Sequence, residues 1–283
     1  MTRRDLFQMS AAIAVPMLAS AQGVVKPRAG RLKQGICGGV LGRGFDLDAR
    51  CKVAAELGVT GHDLVGPKDW PTLKKYGLIP TMVPGIGTLT LNSSDLSRHD
   101  ELEKQAIEVI KNAAEVKAPN VILLAGNKWG QSVERCMDNN EKFGKRIIKR
   151  AEDAGVTLCL ELLNSKVNHP DYVCDHTAYG VEVCKRVGSP RYKLLFDIYH
   201  MQIMEGDIIR TIQQNIAYIG HFHTAGNPGR FEFDAETQEM NYRGIAKGIA
   251  DTGYQGWISH EYSPRQGSDP VKTLDAMLKI CEV

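Results

Sequence analysis

The 283-residue sequence lacks several features that mark common functional classes. It has no marked excess of charge of one sign: 35 basic and 33 acidic residues give a net charge of +2, which disfavours binding to nucleic acid or anionic lipid. Its seven cysteines are scattered and form no Cys-x-x-Cys pair, so buried thiols are favoured over disulfide bridges or zinc ligands. No internal repeat or domain linker stands out. With 43% hydrophobic residues, the chain can form the core of one large domain or two small ones.

The N-terminus carries the features of an export signal. Its apolar stretch at 11–18 is shorter than the ~20 apolar residues that a membrane span needs. This stretch follows the pair Arg3-Arg4 and precedes the small-x-small cleavage site Ala19-Ser20-Ala21, as in a twin-arginine signal. A disordered or helical N-terminus of a cytoplasmic protein is the alternative. We expect a periplasmic or otherwise exported protein with three segments: a twin-arginine signal peptide at 1–21, a linker at 22–31 and a catalytic domain at 32–283.

Strand and helix signals alternate along the rest of the chain, which predicts parallel β-α crossover units. Eight strands are predicted, at 33–37, 61–65, 79–83, 120–125, 157–162, 194–197, 218–223 and 256–261. Amphipathic stretches predict helices at 48–57, 70–76, 102–116, 139–154, 176–187, 207–216, 242–251 and 270–281. An open, doubly wound sheet is the rival architecture, but no Gly-x-Gly-x-x-Gly motif follows the first strand. The strand count of eight therefore predicts an α/β fold with a single (β/α)₈ TIM barrel.

Four of the predicted strands end in acidic or imidazole side chains: Glu161, Asp197, His223 and Glu261. In a closed barrel of parallel strands, such ends converge on one face. Each residue alone has an ordinary explanation, such as a solvated glutamate or, for Asp197, a helix cap. Together the carboxylates and the imidazole form a ligand set for a divalent cation. A metal enzyme is therefore the leading hypothesis, while His221, deeper in the barrel, is expected to be a hydrogen-bonded core residue.

The motifs around these strand ends resemble a known family. They are Glu161-Leu162-Leu163-Asn164, Asp197-Ile198-Tyr199-His200, His221-Phe222-His223-Thr224 with Asn227-Pro228-Gly229-Arg230, and Glu261-Tyr262. Together they resemble the hydroxypyruvate isomerase branch of the xylose isomerase-like barrels, over nearly all of 32–283. The resemblance implies one divalent ion, Mn²⁺, Mg²⁺ or Co²⁺ before Zn²⁺, bound by Glu161, Asp197, His223 and Glu261. Hydroxypyruvate isomerases often carry Gln where His223 stands and related ketose 3-epimerases carry His, so the substrate stays open.

The expected chemistry is proton transfer beside a carbonyl group. It requires a base, an acid and stabilisation of the enediolate that forms between the two steps. Glu161 and Glu261, on opposite sides of the substrate, fit the catalytic roles, and the ion fits the role of template and Lewis acid. The resemblance also implies that His200 and Arg230 contact substrate oxygens. The candidate substrate-binding residues are His200, Arg230, Asn164, Trp129 and His62, with packing, structural or solvated roles as alternatives for the last two and for Arg230.

These expectations describe a metal-dependent isomerase, similar to hydroxypyruvate isomerase, for a small sugar or keto acid. A ketose 3-epimerase and a keto-sugar lyase or epimerase are alternatives, because they share the enolate chemistry. A noncatalytic sugar-binding barrel would have little need for two glutamates in the site. An apurinic-site endonuclease is disfavoured, because Ala125-Gly126-Asn127 supplies no histidine after the fourth strand and the net charge is near neutral. We expect no nucleic acid partner and no stable membrane span, and homo-oligomer formation stays open.

The export signal predicts one outcome in cells. Changing Arg3→Lys together with Arg4→Lys should retain the protein in the cytoplasm, because the arginine pair is the feature that the export receptor recognises. Immunoblotting of cytoplasmic and exported fractions measures this. Lys26→Arg, beyond the predicted signal, is the control and should leave export unchanged. Export of the double variant at the wild-type level would contradict the signal assignment.

Overall fold

A computed structural model of the chain describes residues 26–234 and 236–283. The predicted signal peptide at 1–21 lies outside these residues. Within them, nine strands form one parallel sheet in the order β3-β2-β1-β9-β8-β7-β6-β5-β4. The strands are β1 (Lys33–Ile36), β2 (Gly61–His62), β3 (Ile79–Pro80), β4 (Val83–Ile86), β5 (Asn120–Leu123), β6 (Thr157–Glu161), β7 (Tyr192–Asp197), β8 (Ile219–Thr224) and β9 (Trp257–His260).

Strands β3 and β4 together take the place of the third strand of the barrel. Only Thr81 and Met82 separate them, and β3 pairs with β2 while β4 pairs with β5, so the sheet curves into a nearly closed barrel. The predicted (β/α)₈ barrel is therefore confirmed, but its third strand was predicted as an unbroken segment at 79–83. The break has a physical reason, because Pro80 and Pro84 lack the backbone N–H that a continuous ladder requires.

Helices follow the strands and cover the barrel. In the described part of the chain they are α1 (Leu47–Glu56), α2 (Trp70–Lys75), α3 (His99–Glu115), α4 (Val133–Ala154), α5 (Thr177–Val187), α6 (Ile198–Met204), α7 (Ile208–Asn215), α8 (Tyr242–Ala250) and α9 (Pro270–Ile280). Helix α4 begins six residues before the predicted start, because Ser132 accepts a hydrogen bond from Arg135 N and caps it. The short helix α6 was not predicted, and Asp197 caps it. None of these helices is long and apolar enough to cross a membrane.

The main hydrophobic core lies between the sheet and the helices, and a smaller cluster of Met82, Cys159 and Leu195 forms a second one. All seven cysteines are free and buried, as expected from their spacing. A polar layer lies inside the barrel. Two strand glycines leave room for it, since a Cβ at Gly35 would lie 2.4 Å from Ser259 Oγ and one at Gly61 would lie 2.5 Å from Thr81 Oγ1.

Helix α4 offers a test of this packing. Gly→Ala normally stabilises a helix interior, but a Cβ at Gly144 would lie 2.5 Å from Val187 Cγ2 and 3.1 Å from Tyr192 Cε2. Gly144→Ala should therefore lower the free energy of unfolding by about 1–3 kcal/mol, as overpacking does. Urea unfolding measures it. The exposed Lys142→Ala on the same helix should stay within about 0.5 kcal/mol, and a stabilised Gly144→Ala variant would contradict this packing.

Candidate metal centre and active site

Four strand ends bring their polar side chains together at the carboxyl-terminal end of the barrel. Glu161 ends β6, Asp197 ends β7, His223 lies near the end of β8, and Glu261 follows β9. The pairing register sets Asp197 beside His223. One ligand atom from each of these four residues lies within 4.8 Å of those of the other three. The structure therefore brings together all four residues that the sequence predicted as ligands.

The chemistry of this cluster suits a divalent cation. Three carboxylates converge on one point, and their mutual repulsion favours a bound positive charge. His223 Nδ1 is buried and makes no hydrogen bond within the described residues, although it lies 3.0 Å from Glu261 Oε2 and 3.9 Å from Glu161 Oε1. A buried nitrogen without a donor or acceptor is costly, whereas an imidazole lone pair is a common metal ligand. The oxygen-rich set favours Mn²⁺, Mg²⁺ or Co²⁺ over softer ions.

A buried carboxylate holds His223 from behind. Asp63 Oδ2 lies 3.0 Å from His223 Nε2 and 2.6 Å from His221 Nε2, and the Thr81 hydroxyl donates to Asp63 Oδ1. Burial alone would raise the pKa of Asp63, but His221 and His223 hold that pKa below its usual range. His223 therefore donates its Nε2–H to Asp63, and its Nδ1 faces the glutamates. Carboxylates orient metal-binding histidines in this way. Burial would lower the pKa of His223, but Glu261 and Asp63 hold that pKa above its usual range, so a bound cation would take the place of the proton on Nδ1.

The same region contains a second group of ligand-type side chains, Cys37, Asp63 and His223. The carboxylate of this group is already engaged, because Asp63 accepts hydrogen bonds from the Thr81 hydroxyl, His221 Nε2 and His223 Nε2. Burial also raises the pKa of the Cys37 thiol to about 12, which keeps it neutral. We therefore interpret this group as support for His223.

The two glutamates of the cluster have unlike surroundings. Burial, and next the charge of Glu261, raise the pKa of Glu161 above its usual range. Burial would also raise the pKa of Glu261, but His223 and Arg230 hold it below its usual range. Arg230 Nη2 lies 2.7 Å from Glu261 Oε2 and 3.5 Å from Asp197 Oδ2. One carboxyl group thus favours the protonated form and the other the ionised form, as an acid and a base in one site require.

Hydrogen bonds fix the tautomer of the buried His200. Its Nδ1 lies 3.1 Å from Asn164 N and 2.6 Å from Asn164 Nδ2. Asn164 Oδ1 already accepts hydrogen bonds from Val167 N and Asn168 N, so its amide nitrogen must face the imidazole. Burial lowers the pKa of His200 to about 4. The neutral ring therefore accepts at Nδ1 and carries its proton at Nε2, which lies 3.7 Å from Asp197 Oδ2 without a hydrogen-bond partner in the described chain.

The remaining predicted substrate-binding residues are divided between two cavities. Arg230 and the buried His62 line a cavity of about 330 Å³ that Glu261 also borders. Trp129 is 56% exposed and lines a different cavity, of about 730 Å³, with Arg98 and Arg135. The two cavities share no lining residue. The structure thus brings His62 and Arg230 to the cluster, and Trp129 lies apart from it on the loop after β5.

Comparison with known proteins gives the family. Residues 71–281 match the family described as "Xylose isomerase-like TIM barrel". The chain belongs to the xylose isomerase-like TIM barrel family. Hydroxypyruvate isomerase of Escherichia coli (strain K12) is 37% identical over 239 residues, which cover 78% of this chain and 89% of that protein. The resemblance to the hydroxypyruvate isomerase branch is therefore confirmed.

Other relatives match in part or in fold. 2-Oxo-tetronate isomerase of Cupriavidus necator is 40% identical over 114 residues, 40% of this chain and 43% of that protein, so the alignment spans less than half of that relative. A crystal structure of D-psicose 3-epimerase from Clostridium cellulolyticum H10 superposes with a TM-score of 0.73, covering 88% of this chain and 98% of that one. At 19% identity this match shows the shared barrel fold. Both curated relatives are isomerases, the class that the sequence predicted.

Asp63 is a residue of this site that the sequence did not reveal. It directly follows β2, so it occupies the same kind of position that revealed the other four acidic or imidazole residues. The prediction placed the neighbouring His62 at the mouth of the barrel. Successive residues of a strand point to opposite faces, and here it is Asp63 that reaches His221 and His223.

The contact between Asp63 and His223 predicts a change in metal affinity. Asp63→Asn removes the charged acceptor that fixes the His223 tautomer, so affinity for Mn²⁺ should fall about 10–100-fold. Isothermal titration of the metal-free protein measures this, with thermal unfolding as a check of folding. Asp48→Asn is the matched control, because Asp48 pairs with Lys75 at the surface. Equal Mn²⁺ affinity in Asp63→Asn and wild type would contradict the proposed support of His223.

Proposed function

We propose that this protein is a metal-dependent isomerase that moves hydrogen between neighbouring carbons of a small hydroxy-carbonyl compound, with hydroxypyruvate as the substrate. One observation carries the proposal: Glu161 and Glu261 face one cluster, and their surroundings shift their pKa values in opposite directions. Such a pair suits isomerisation, because one group can remove a proton and the other can return one to the adjacent carbon. The match to E. coli hydroxypyruvate isomerase over most of both chains supports the same class.

The cluster of Glu161, Asp197, His223 and Glu261 would hold the divalent ion. A bound ion would supply Lewis acidity to the substrate carbonyl and offset the negative charge of the enediolate. The orphaned His223 Nδ1 and the crowding of three carboxylates support this assignment. Asp63 contributes by accepting the Nε2–H of His223, which leaves Nδ1 as the nitrogen that faces the cluster.

We assign the base role to Glu261 and the acid role to Glu161. Glu261 takes a proton from the hydroxyl-bearing carbon, and the C–H electron pair becomes the carbon–carbon double bond of the enediolate. A proton then moves from the hydroxyl oxygen to the former carbonyl oxygen. Glu161 protonates the neighbouring carbon while the new carbonyl forms, and exchange with water restores both carboxyl groups. Hydroxypyruvate would give 2-hydroxy-3-oxopropanoate in this sequence.

His200 and Arg230 would stabilise charge during these steps. The neutral His200 offers an Nε2–H that can donate to a substrate oxygen, and Asn164 keeps that proton on Nε2. Arg230 contacts Glu261 and lies 5.5 Å over the Tyr199 ring, which limits its movement. It would keep Glu261 ionised before proton transfer and hold a substrate oxygen nearby.

Replacing each glutamate separates proton transfer from metal binding. Glu161→Gln and Glu261→Gln keep a neutral oxygen but take up no proton, so incorporation of solvent deuterium into the isomerised product of hydroxypyruvate should fall at least ~10²-fold. NMR measures the incorporation, and elemental analysis measures the bound metal. Glu239→Gln, an exposed residue of the loop after β8, is the matched control and should exchange at the wild-type rate.

Product analysis in the same experiment tests the reaction type. Carbonyl migration to the adjacent carbon supports an isomerase, whereas inversion of a ketose carbon without migration would favour a ketose 3-epimerase. If both glutamine variants retained metal and exchanged deuterium at the wild-type rate, the assigned proton transfers would be wrong.

A further inference from the structure

A cavity of about 330 Å³ leads away from the candidate metal centre. It is lined by Glu261 and Arg230 and also by Gly38, Arg50 and His62. An adjoining cavity of about 700 Å³ also borders Gly38 and Arg50 and is lined further by residues of the β1–α1 loop and the β9–α9 loop. Because the two cavities share Gly38 and Arg50, we treat them as one groove beside the candidate metal centre, and the proposed reaction does not yet use Gly38, Arg50 or His62.

Arg50 places an unpaired positive charge on this groove. Its Nε donates to Phe45 O at 2.8 Å, which fixes the side chain, and its terminal nitrogens form no ion pair or hydrogen bond with the described residues. Gly38 makes this position accessible, because a Cβ there would lie 2.5 Å from Arg50 Nη1. The acidic groups that line the same cavity are already engaged: Glu261 contacts Arg230, and Asp63 contacts two histidines.

His62 adds a polar atom that lacks a partner. The side chain is 1% exposed, and its Nδ1–H donates to Asp63 O at 3.0 Å. Its Nε2 is buried and has no hydrogen-bond partner in the described chain. A Cβ at Gly38 would lie 3.9 Å from His62 Cε1, the ring atom next to Nε2, so this edge of the ring borders the same space as Arg50. A neutral His62 would accept a hydrogen bond there.

We propose that the groove is the subsite for the carboxylate of a hydroxylated 2-oxo acid, which Arg50 binds while His62 Nε2 accepts a hydrogen bond from an alcohol group of the acid. This inference rests on the proposed isomerase function and assigns the residues that hold the carboxylate of its acid substrate. A guanidinium group without a protein partner suits a carboxylate, which it binds through two parallel hydrogen bonds. A neutral ketose has no negatively charged group that Arg50 could bind.

Two substrates of nearly equal size test the subsite. Hydroxypyruvate and dihydroxyacetone differ in having a carboxylate or a hydroxymethyl group at one end. Arg50→Gln should lower kcat/KM for hydroxypyruvate by roughly 10–100-fold, mainly through KM, as expected for a lost hydrogen bond to a charged group. Deuterium incorporation into dihydroxyacetone should change less than ~3-fold, because dihydroxyacetone has no carboxylate for Arg50 to bind. Lys52→Gln is the matched control, since Lys52 lies on the same helix with its side chain in solvent.

A substitution at Gly38 tests the subsite while Arg50 itself is retained. Gly38→Ala displaces the Arg50 guanidinium and should weaken hydroxypyruvate binding as Arg50→Gln does. Gly44→Ala is its control, because a Cβ there would meet no atom within 4 Å and Gly44 lines neither cavity. Circular dichroism checks the folding of all variants. Equal losses for hydroxypyruvate and dihydroxyacetone in Arg50→Gln would indicate a structural role and overturn the proposal.

Binding of glycerate separates the subsite from catalysis. Glycerate keeps the carboxylate and hydroxyls but has no carbonyl group, so its affinity for the Mn²⁺-loaded protein reports binding alone. Titration calorimetry should show weaker glycerate binding in Arg50→Gln and Gly38→Ala than in wild type and both controls. Unchanged binding in these variants, or no binding to wild type, would overturn the subsite. Normal glycerate binding without turnover of either substrate would instead contradict the isomerase function.

Discussion

Repulsion among the carboxylates at the end of β6, β7 and β9 is the constraint to which the rest of the site responds. The parallel register brings Glu161, Asp197 and Glu261 within a few ångströms, and in a low-dielectric surrounding like charges strongly oppose ionisation. Two features relieve that repulsion without an ion. Arg230 contacts two of the carboxylates, and a buried Glu161 favours its protonated form. Both leave the carboxyl groups of this candidate metal centre able to change ionisation state, a property that the proposed proton transfer requires.

The same constraint explains why the interior of the barrel is polar beneath the centre. Carboxylates around a histidine attract its ring N–H groups and can turn the ring. Asp63 fixes the ring of His223 by accepting its Nε2–H from the side opposite the cluster. Asp63 in turn depends on His221 and Thr81, and space for this layer comes from strand positions that carry no side chain, Gly35 and Gly61. Polar groups thus occupy positions in the barrel interior that apolar side chains would otherwise fill, and they orient one imidazole nitrogen.

The residues that the sequence revealed are those whose position follows from strand register alone. Glu161, Asp197 and His223 each stand at or near a strand end, and parallel strands in a barrel bring such ends together whatever the side-chain rotamers. The broken third strand was missed, because a proline inside an apolar run weakens pairing without abolishing it. Arg50 was missed for a different reason. It lies on helix α1, and its approach to the groove depends on the absence of a Cβ at Gly38, a contact that no periodicity encodes.

Comparison of the two arginines gives the last step toward the substrate. Arg230 pairs with Glu261 and Asp197, so its positive charge mainly offsets the negative charge of these two carboxylates. Arg50 has no such partner in the described residues and lies outside the ligand cluster, on the same cavity. A neutral ketose would need only the charge of Arg230, since its enediolate would form at the candidate metal centre. A 2-oxo acid carries a second negative charge beside the reacting carbons, and that charge would repel Glu261 unless a separate cation held it away. The division between a paired and an unpaired arginine therefore fits an acid substrate better than a neutral sugar.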